Sequence, residues 1–389
     1  MAALSALGIT FLGTASAQPS SSRNHSSLAL RLGADVWLFD CGEATQHQVQ
    51  RSTDVRMGRI RKVFITHTHG DHIFGLAPLM ASAMNGAGGT TDGPDERLEV
   101  DETLLPTFEI YGPLGTRAYV RSALRFTHTL LQGRYIVHEL RFAADPVGDP
   151  ADAVPTHHCE LAGGRNITQA IDGTWRDIYQ DNLVRVSAAP ILHSVPCLGY
   201  VVDELPVPGK IEPKLYTPHI MRNKDALVAS GLDKPMSLLA RIQAGESIML
   251  PDGTELAPPS RRPGRKLAIL GDTHDPSPIA DLAQGADVLI HEATNAFLPA
   301  DETEQNVELR AKSHGHSTPQ MAGAFATRIG AKMLLLNHFS ARYPSDDEGN
   351  AEAKVVMEAI RDLARSQFIG QVICARDLMS LTVPRAFDS

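Results

Sequence analysis

The sequence is poor in cysteine, in long apolar runs and in positive charge, and each shortage excludes something. Cys41, Cys159, Cys197 and Cys374 are the four cysteines of 389 residues, and none stands in C-x-x-C spacing. That spacing excludes a disulfide framework and a zinc ribbon. It suits a reducing compartment better than a secreted setting. No stretch approaches the ~20 uninterrupted apolar residues of a membrane span, so no membrane association is expected. The net charge of −9 argues against a generally basic, polyanion-binding surface. No internal repeat is present. Apolar residues still make up 43% of the chain, enough for a sizeable core.

The first residues, MAALSALGITFLGTASAQP, imitate a secretory signal. Ala15-Ser16-Ala17 has the small-residue pattern of a cleavage site. Two further absences count against that reading. The stretch lacks the Lys/Arg of a signal n-region, and Ser5, Gly8, Thr10 and Gly13 interrupt its apolar run. It also lacks the Arg-rich pattern of a transit peptide. Ala6–Gly13 reads as a strand followed by a glycine turn. The expectation is a retained strand and an intracellular protein, cytoplasmic or nuclear, not secreted.

Short β-rich runs alternate with helical patterns, which predicts an α/β protein. Strands are expected at 27–32, 36–40, 62–66, 107–111, 183–188, 267–270, 288–291 and 332–336. Helices are expected at 75–84, 113–126, 279–285, 318–329 and 350–365. Thr318-Pro319 suits a helix start, with the hydroxyl as cap and proline at the first helical position. Segments 85–106 and 143–181 read as loop insertions. Segment 205–266 is rich in proline, glycine and basic residues.

The strongest motif is Thr66-His67-Thr68-His69-Gly70-Asp71-His72, after the apolar strand Lys62–Ile65. Two imidazoles at i and i+2 fall on one side of extended backbone. Gly70 reads as permitting a sharp turn, so that Asp71 and His72 face a second point. Imidazole and carboxylate are the donors that zinc takes when it keeps an exchangeable water. Four donors in six residues cannot close two tetrahedral sites, so distant residues must complete them.

These residues resemble the metallo-β-lactamase superfamily. Further stretches resemble its ribonuclease Z family: Phe11-Leu12-Gly13-Thr14-Ala15-Ser16, Arg23-Asn24, Leu38-Phe39-Asp40-Cys41-Gly42-Glu43, Gly271-Asp272-Thr273, His291-Glu292-Ala293-Thr294, His316-Ser317-Thr318 and Asn337-His338-Phe339-Ser340-Ala341-Arg342-Tyr343. The resemblance covers nearly the whole chain. It implies a four-layer αββα sandwich formed as a single domain with an inserted arm. It implies two zinc ions per subunit, one on His67, His69 and His193, the other on Asp71, His72 and His338, with Asp272 bridging. His193, Asp272 and His338 each follow an apolar run, as strand-end ligands do. Asp40 is expected to brace the metal loop.

The implied activity is removal of 3′ trailers from precursor tRNA. The products are a tRNA 3′-hydroxyl and a 5′-phosphorylated trailer. The expected roles are His316 as general acid, Glu292 as its orienting carboxylate, Asp71 as ligand and proton acceptor, and Arg342 as phosphate clamp. The remaining histidines, among them His157 and His291, read as surface or supporting residues.

The arm answers the charge objection. Between 206 and 266 ten basic residues face six acidic ones, a local excess of four, so the remainder carries −13. Lys210, Lys214, Arg222, Lys224, Lys234 and Arg241 are the candidate RNA contacts. Lys234-Pro235-Met236 stands where the family usually has Gly-Pro. Ala15 and Ala44 stand where it usually has glycine, so strained turns are expected there. The resemblance also implies a homodimer. Two other readings stay open: a two-zinc hydrolase of small phosphodiesters or sulfate esters, and a non-catalytic RNA-binding relative.

Overall fold

The computed structural model describes residues 7–84, 107–207, 209–299, 301, 303–345 and 350–385. The expected insertion at 85–106 lies outside the described residues.

Two sheets carry the larger of two compact units. The first runs β17 (Ser380–Thr382), β1 (Leu7–Gly13), β2 (Ser27–Leu32), β3 (Asp35–Phe39), β4 (Ile60–Phe64), β5 (Thr107–Pro113), β6 (Arg134–Arg141) and β7 (Asn166–Thr168). The second runs β16 (Gln371–Cys374), β15 (Met333–Asn337), β14 (Val288–Glu292), β13 (Lys266–Leu270), β10 (Cys197–Glu204), β9 (Val184–Ile191) and β8 (Trp175–Gln180). β1 is buried along its whole length and pairs antiparallel with β2 and β17. Loss of the first 17 residues would therefore remove an inner strand.

Helices cover the outer faces. Helices α1 (Thr45–Arg51), α3 (Leu76–Ala83) and α4 (Thr116–Phe126) cover the first sheet; the single-turn α2 (Gly70–Ile73) belongs to the metal loop. The apolar stripe of α4, Val120 and Leu124, joins a core with Val63, Ile110 and Val137. The second sheet is covered by α8 (Ala280–Ala283), α10 (Pro319–Arg328) and α11 (Ala351–Arg365). Met357, Ile360 and Ala364 of α11 pack with Ala322, Phe325 and Ala326 of α10. Thr318 does cap α10, accepting from the Met321 N–H at 3.3 Å, with Pro319 at the first position.

Between the sheets Phe39, Phe64 and Tyr111 stack, with centroids 5.0 and 4.9 Å apart. Tyr200 of β10 meets Phe64 edge-on at 5.4 Å, and its hydroxyl donates to the Ile65 carbonyl at 2.7 Å. Aromatic pairs of this kind add ~0.5–1.5 kcal/mol beyond the area they bury. The Ile65 contact also pins the backbone just before the metal loop. The result is the four-layer αββα sandwich.

Segment 143–181 departs from the expected loop. It supplies edge strands to both sheets, β7 and β8. Trp175 is the anchor: it is buried, its indole donates to the Ile167 carbonyl at 2.9 Å, and Phe142 packs edge-on against it. The polar surroundings of that single large residue hid both strands.

The second unit comprises Gln180–Arg185 and Asp203–Arg265, close to the predicted arm with a short added segment. It contains α5 (Pro213–Arg222), α6 (Lys224–Ala229), α7 (Leu238–Gln243) and the hairpin of β11 (Ile248–Met249) with β12 (Glu255–Leu256). Ile220, Leu227, Leu238, Ile242, Ile248, Leu250 and Leu256 form its own apolar cluster. Lys234-Pro235-Met236 opens a one-turn helix, and Pro235 is buried. The remaining helix, α9 (Glu304–Ser313), belongs to the larger unit. Among the described residues, no helix is long and apolar enough to cross a membrane.

Candidate metal centre

The ligand candidates stand where strands of both sheets end. β4 leads into His67, His69, Asp71 and His72, and the last two lie in α2. His193 follows β9 by two residues. β13, β14 and β15 run parallel and side by side, and their C-terminal ends deliver Asp272, Glu292 and His338.

The sharp turn expected at Gly70 is the single-turn helix α2, which carries Asp71 and His72 to their own donor group. A Cβ placed on Gly70 would fall 2.2 Å from Phe74 Cε2, so glycine makes room for that ring.

Two groups of donor atoms result. His67 Nε2 lies 3.1 Å from His69 Nδ1, which lies 3.3 Å from His193 Nε2. In the second group His72 Nε2 lies 3.1 Å from His338 Nε2, and Asp71 Oδ2 is 3.5 and 3.4 Å from those two atoms. Asp272 reaches both groups. Its Oδ1 is 3.4 and 3.3 Å from His72 and His338, and its Oδ2 is 3.8 and 3.9 Å from His67 and His193. Zinc–nitrogen bonds of ~2.0–2.1 Å in a tetrahedron separate ligand atoms by roughly 3.3 Å. The spacings within each group lie close to that figure, and the two contacts of Asp272 Oδ2 are about half an ångström longer.

Hydrogen-bond partners show which nitrogens face the centre. Asp40 Oδ2 accepts from His72 Nδ1 at 2.7 Å, and the Gly315 carbonyl accepts from His193 Nδ1 at 2.8 Å. Thr66 Oγ1 donates to Asp40 at 2.8 Å, so it accepts from His67 Nδ1 at 3.0 Å. Thr294 Oγ1 donates to Glu292 and accepts from His338 Nδ1 at 3.1 Å. These partners hold a proton on Nδ1 of all four rings, so Nε2 is the nitrogen that faces a metal. His72 Nε2 and His338 Nε2 then face each other at 3.1 Å. A shared metal ion accommodates both as ligands. The residues present therefore fit the metal.

The carboxylates agree. Burial works to raise the Asp71 pKa, but hydrogen bonds and charge from His338 and His72 hold it well below the usual carboxylate range. Burial also opposes ionisation of Asp272, and His338 and His72 overcome it. The Ala17 N–H donates to Asp71 Oδ2 at 2.8 Å.

Backbone strain gathers here. Asp40 and His338 sit at φ +61° and +54°, in the left-handed region that non-glycine residues avoid. The Asp40 carboxylate is held by the Thr66 N–H at 2.7 Å, which couples that strain to the metal loop. Ala44 also lies there, at φ +60°. Ala15 does not; it bridges His25 and Phe339, so the strain expected of it is absent, and Ala17 carries it instead at φ +57°.

Beside the donors, His316 Nδ1 lies 3.0 Å from Glu292 Oε1, whose second partner is the Thr273 N–H at 2.7 Å. Burial lowers the His316 pKa, but the charge and hydrogen bond of Glu292, with Asp272, raise it to about 9. Arg342 is placed differently. It lies over the Tyr343 ring, 3.4 Å from Asp301 and 3.2 Å from the Ala296 carbonyl.

The arm residues are exposed, but two are already engaged. Arg222 pairs with Asp252 at 2.8 Å and Arg241 with Glu246 at 2.5 Å. Arg265, counted in the basic excess, is buried on Glu204 at 2.7 Å.

Sequence reasoning gave Thr66, Thr294, Gly315 and Ala17 no role. Thr294 lies inside the quoted His-Glu-Ala-Thr stretch. The other three act through a hydroxyl or main-chain atoms, which leave little trace in residue type.

The fold and the paired donor sets define a metal-dependent hydrolase of the metallo-β-lactamase fold. The family described as "Anti-Pycsar protein Apyc1" matches residues 7–90, a window that includes the metal loop. "Zinc phosphodiesterase ELAC protein 1" of Bos taurus is 35% identical over 97% of this chain and 99% of its own. "Ribonuclease Z" of Streptococcus suis is 35% identical over 87% of this chain and 91% of its own. The crystal structure of human tRNase Z, short form, superposes with a TM-score of 0.59 at 29% identity, covering 97% of this chain and 99% of that one. The chain belongs to the ribonuclease Z family.

Proposed function

We infer that the protein is a zinc-dependent endoribonuclease that removes 3′ trailers from precursor tRNA. It leaves a tRNA 3′-hydroxyl and a 5′-phosphorylated trailer. The observation that carries this is the conjunction of seven metal donors with the His316–Glu292 pair, in a ribonuclease Z relative matched over 97% of the chain. Bound zinc supplies Lewis acidity and a water that is easily deprotonated.

We propose two zinc ions, on the two donor groups, with Asp272 between them. Glu292 fixes the His316 proton on Nδ1 and leaves Nε2 to carry the transferable one. With its pKa raised to about 9, His316 is protonated at neutral pH and can protonate the trailer's departing 5′-oxygen. Arg342 reaches a phosphate by exchanging Asp301, and exposed pairs of that kind contribute only about 0–1 kcal/mol.

Lys210, Lys214, Lys224 and Lys234 offer exposed ammonium groups for the RNA backbone. Family resemblance supports a homodimer in which one subunit's arm serves the other's site, and an intracellular location.

The test is incubation of zinc-loaded protein with a precursor tRNA bearing a 3′ trailer, and separately with a small chromogenic phosphodiester. Cleavage next to the discriminator base, with phosphate on the trailer, is the expected result. Turnover of the small ester alone would overturn the assignment.

A further inference from the structure

The metal centre has a closed side and an open side. His67, His72, Asp272 and His338 are buried, whereas Thr68, His69, Gly70 and Asp71 are partly or fully open to solvent. On the RNA-cleaving reading, that open side is the one by which a phosphodiester would enter. Phe74 stands there, with 60% of its surface exposed.

A single exposed apolar residue is ordinary on a protein surface. The setting of this one is not. Its ring packs on the Gly70 backbone, between His69 and Asp71, so closely that a Cβ on Gly70 would lie 2.2 Å from Cε2 and 2.5 Å from Cζ. Its N–H donates to the Gly70 carbonyl at 2.9 Å. Ile73 before it is buried. Gly75 after it presses on the Gly42 carbonyl, where a Cβ would come within 2.0 Å, and donates to the Cys41 carbonyl at 2.9 Å. The backbone on both sides is clamped, and the ring is a fixed apolar plate on the rim.

We propose that Phe74 is a stacking platform for the nucleobase next to the cleaved phosphodiester. The proposal rests on the RNA-cleaving reading above. Single-stranded RNA presents unstacked bases, and proteins receive them on aromatic faces with little regard to base identity. A trailer of arbitrary sequence calls for that kind of grip. Stacking also fixes the sugar–phosphate torsions beside the base, so the scissile phosphorus arrives in one orientation. Phe74 is thus a positioning residue for the substrate.

The test uses zinc-loaded protein and a precursor minihelix with 2-aminopurine on either side of the cleaved bond, read by stopped-flow fluorescence and by product formation. With wild type, quenching at one of the two positions precedes cleavage. Phe74→Ala abolishes that quenching and raises KM roughly 5- to 150-fold, with zinc content unchanged. Phe74→Trp restores both. If wild type cleaves but Phe74→Ala quenches and binds as wild type does, the stacking role is overturned and the RNA reading stands. If Phe74→Ala alters the sedimentation coefficient and leaves the quenching intact, the ring serves a subunit interface and the proposal falls. If wild type leaves the minihelix uncut, both readings fall together.

Discussion

The metal centre and the arm solve two recognition problems in opposite ways. At the centre four of the histidine donors are held by a second partner: Thr66 behind His67, Asp40 behind His72, Gly315 behind His193, Thr294 behind His338. In the arm the candidate RNA-contacting charges are exposed, and the two that are engaged, Arg222 and Arg241, lie in exposed ion pairs. Holding a metal requires particular atoms at fixed separations. Holding a nucleic-acid backbone requires only enough charge in one region. The first kind of site is written in residue identities, the second in a local total.

That contrast can be broken most severely at Asp272. Asp272→Ala removes the bridging carboxylate. Its expected effect is loss of bound metal by elemental analysis and a fall in cleavage exceeding the ~10²–10⁴ of a proton-transfer residue. Cleavage within tenfold of wild type would refute the assignment. His316→Ala comes next, with metal retained and kcat lowered ~10²–10⁴-fold. Glu292→Gln sharpens the point. The folded pKa of His316, about 9, exceeds the ~6.5 of a free imidazole. The protonated form therefore predominates through neutral pH and is lost as pH rises through about 9. Without the Glu292 charge, the alkaline limb of the pH–rate profile moves to lower pH; an unmoved limb would dissociate Glu292 from the acid.

Asp40→Asn tests the support behind the ligands. Loss of such a partner costs ~10–100-fold in metal affinity, measurable by competition with a chelator. The arm shows the opposite behaviour. Replacing Lys210, Lys214, Lys224 and Lys234 with alanine raises KM and leaves kcat unchanged. It also flattens the salt dependence of binding, by somewhat less than one unit of logarithmic slope for each phosphate that is no longer neutralised. The smallest effect is at Ala44. Because it sits at φ +60°, Ala44→Gly stabilises by about 0.5–1 kcal/mol in calorimetry, the relief of strain exceeding the added chain entropy.

Legibility in the sequence followed the same division. β1, β2 and β13–β15 were readable because each is a short apolar run bounded by glycine or polar residues. β6 was missed because Glu139 and Arg141 are buried in it and break the apolar pattern, each held by an ion pair. α9 was missed because only Val307 and Ala311 of its ten residues are buried, too few to mark a face. In the site, the imidazoles and carboxylates were legible by type. The tautomers of His193 and His338 were not, since they depend on the Gly315 carbonyl and the Thr294 hydroxyl, far away in the chain. Nor was the role of Gly70, which depends on a ring four residues later.

The donors also have an order in time. His67 belongs to the first fifth of the chain, and His338 ends a strand that is made near its close. At ~5–20 residues per second, synthesis separates the two by tens of seconds. Through that interval the nascent polypeptide carries the metal loop but lacks His338, the last member of the second donor group. A partly made chain on the ribosome, surrounded by RNA, has no assembled means of cutting it.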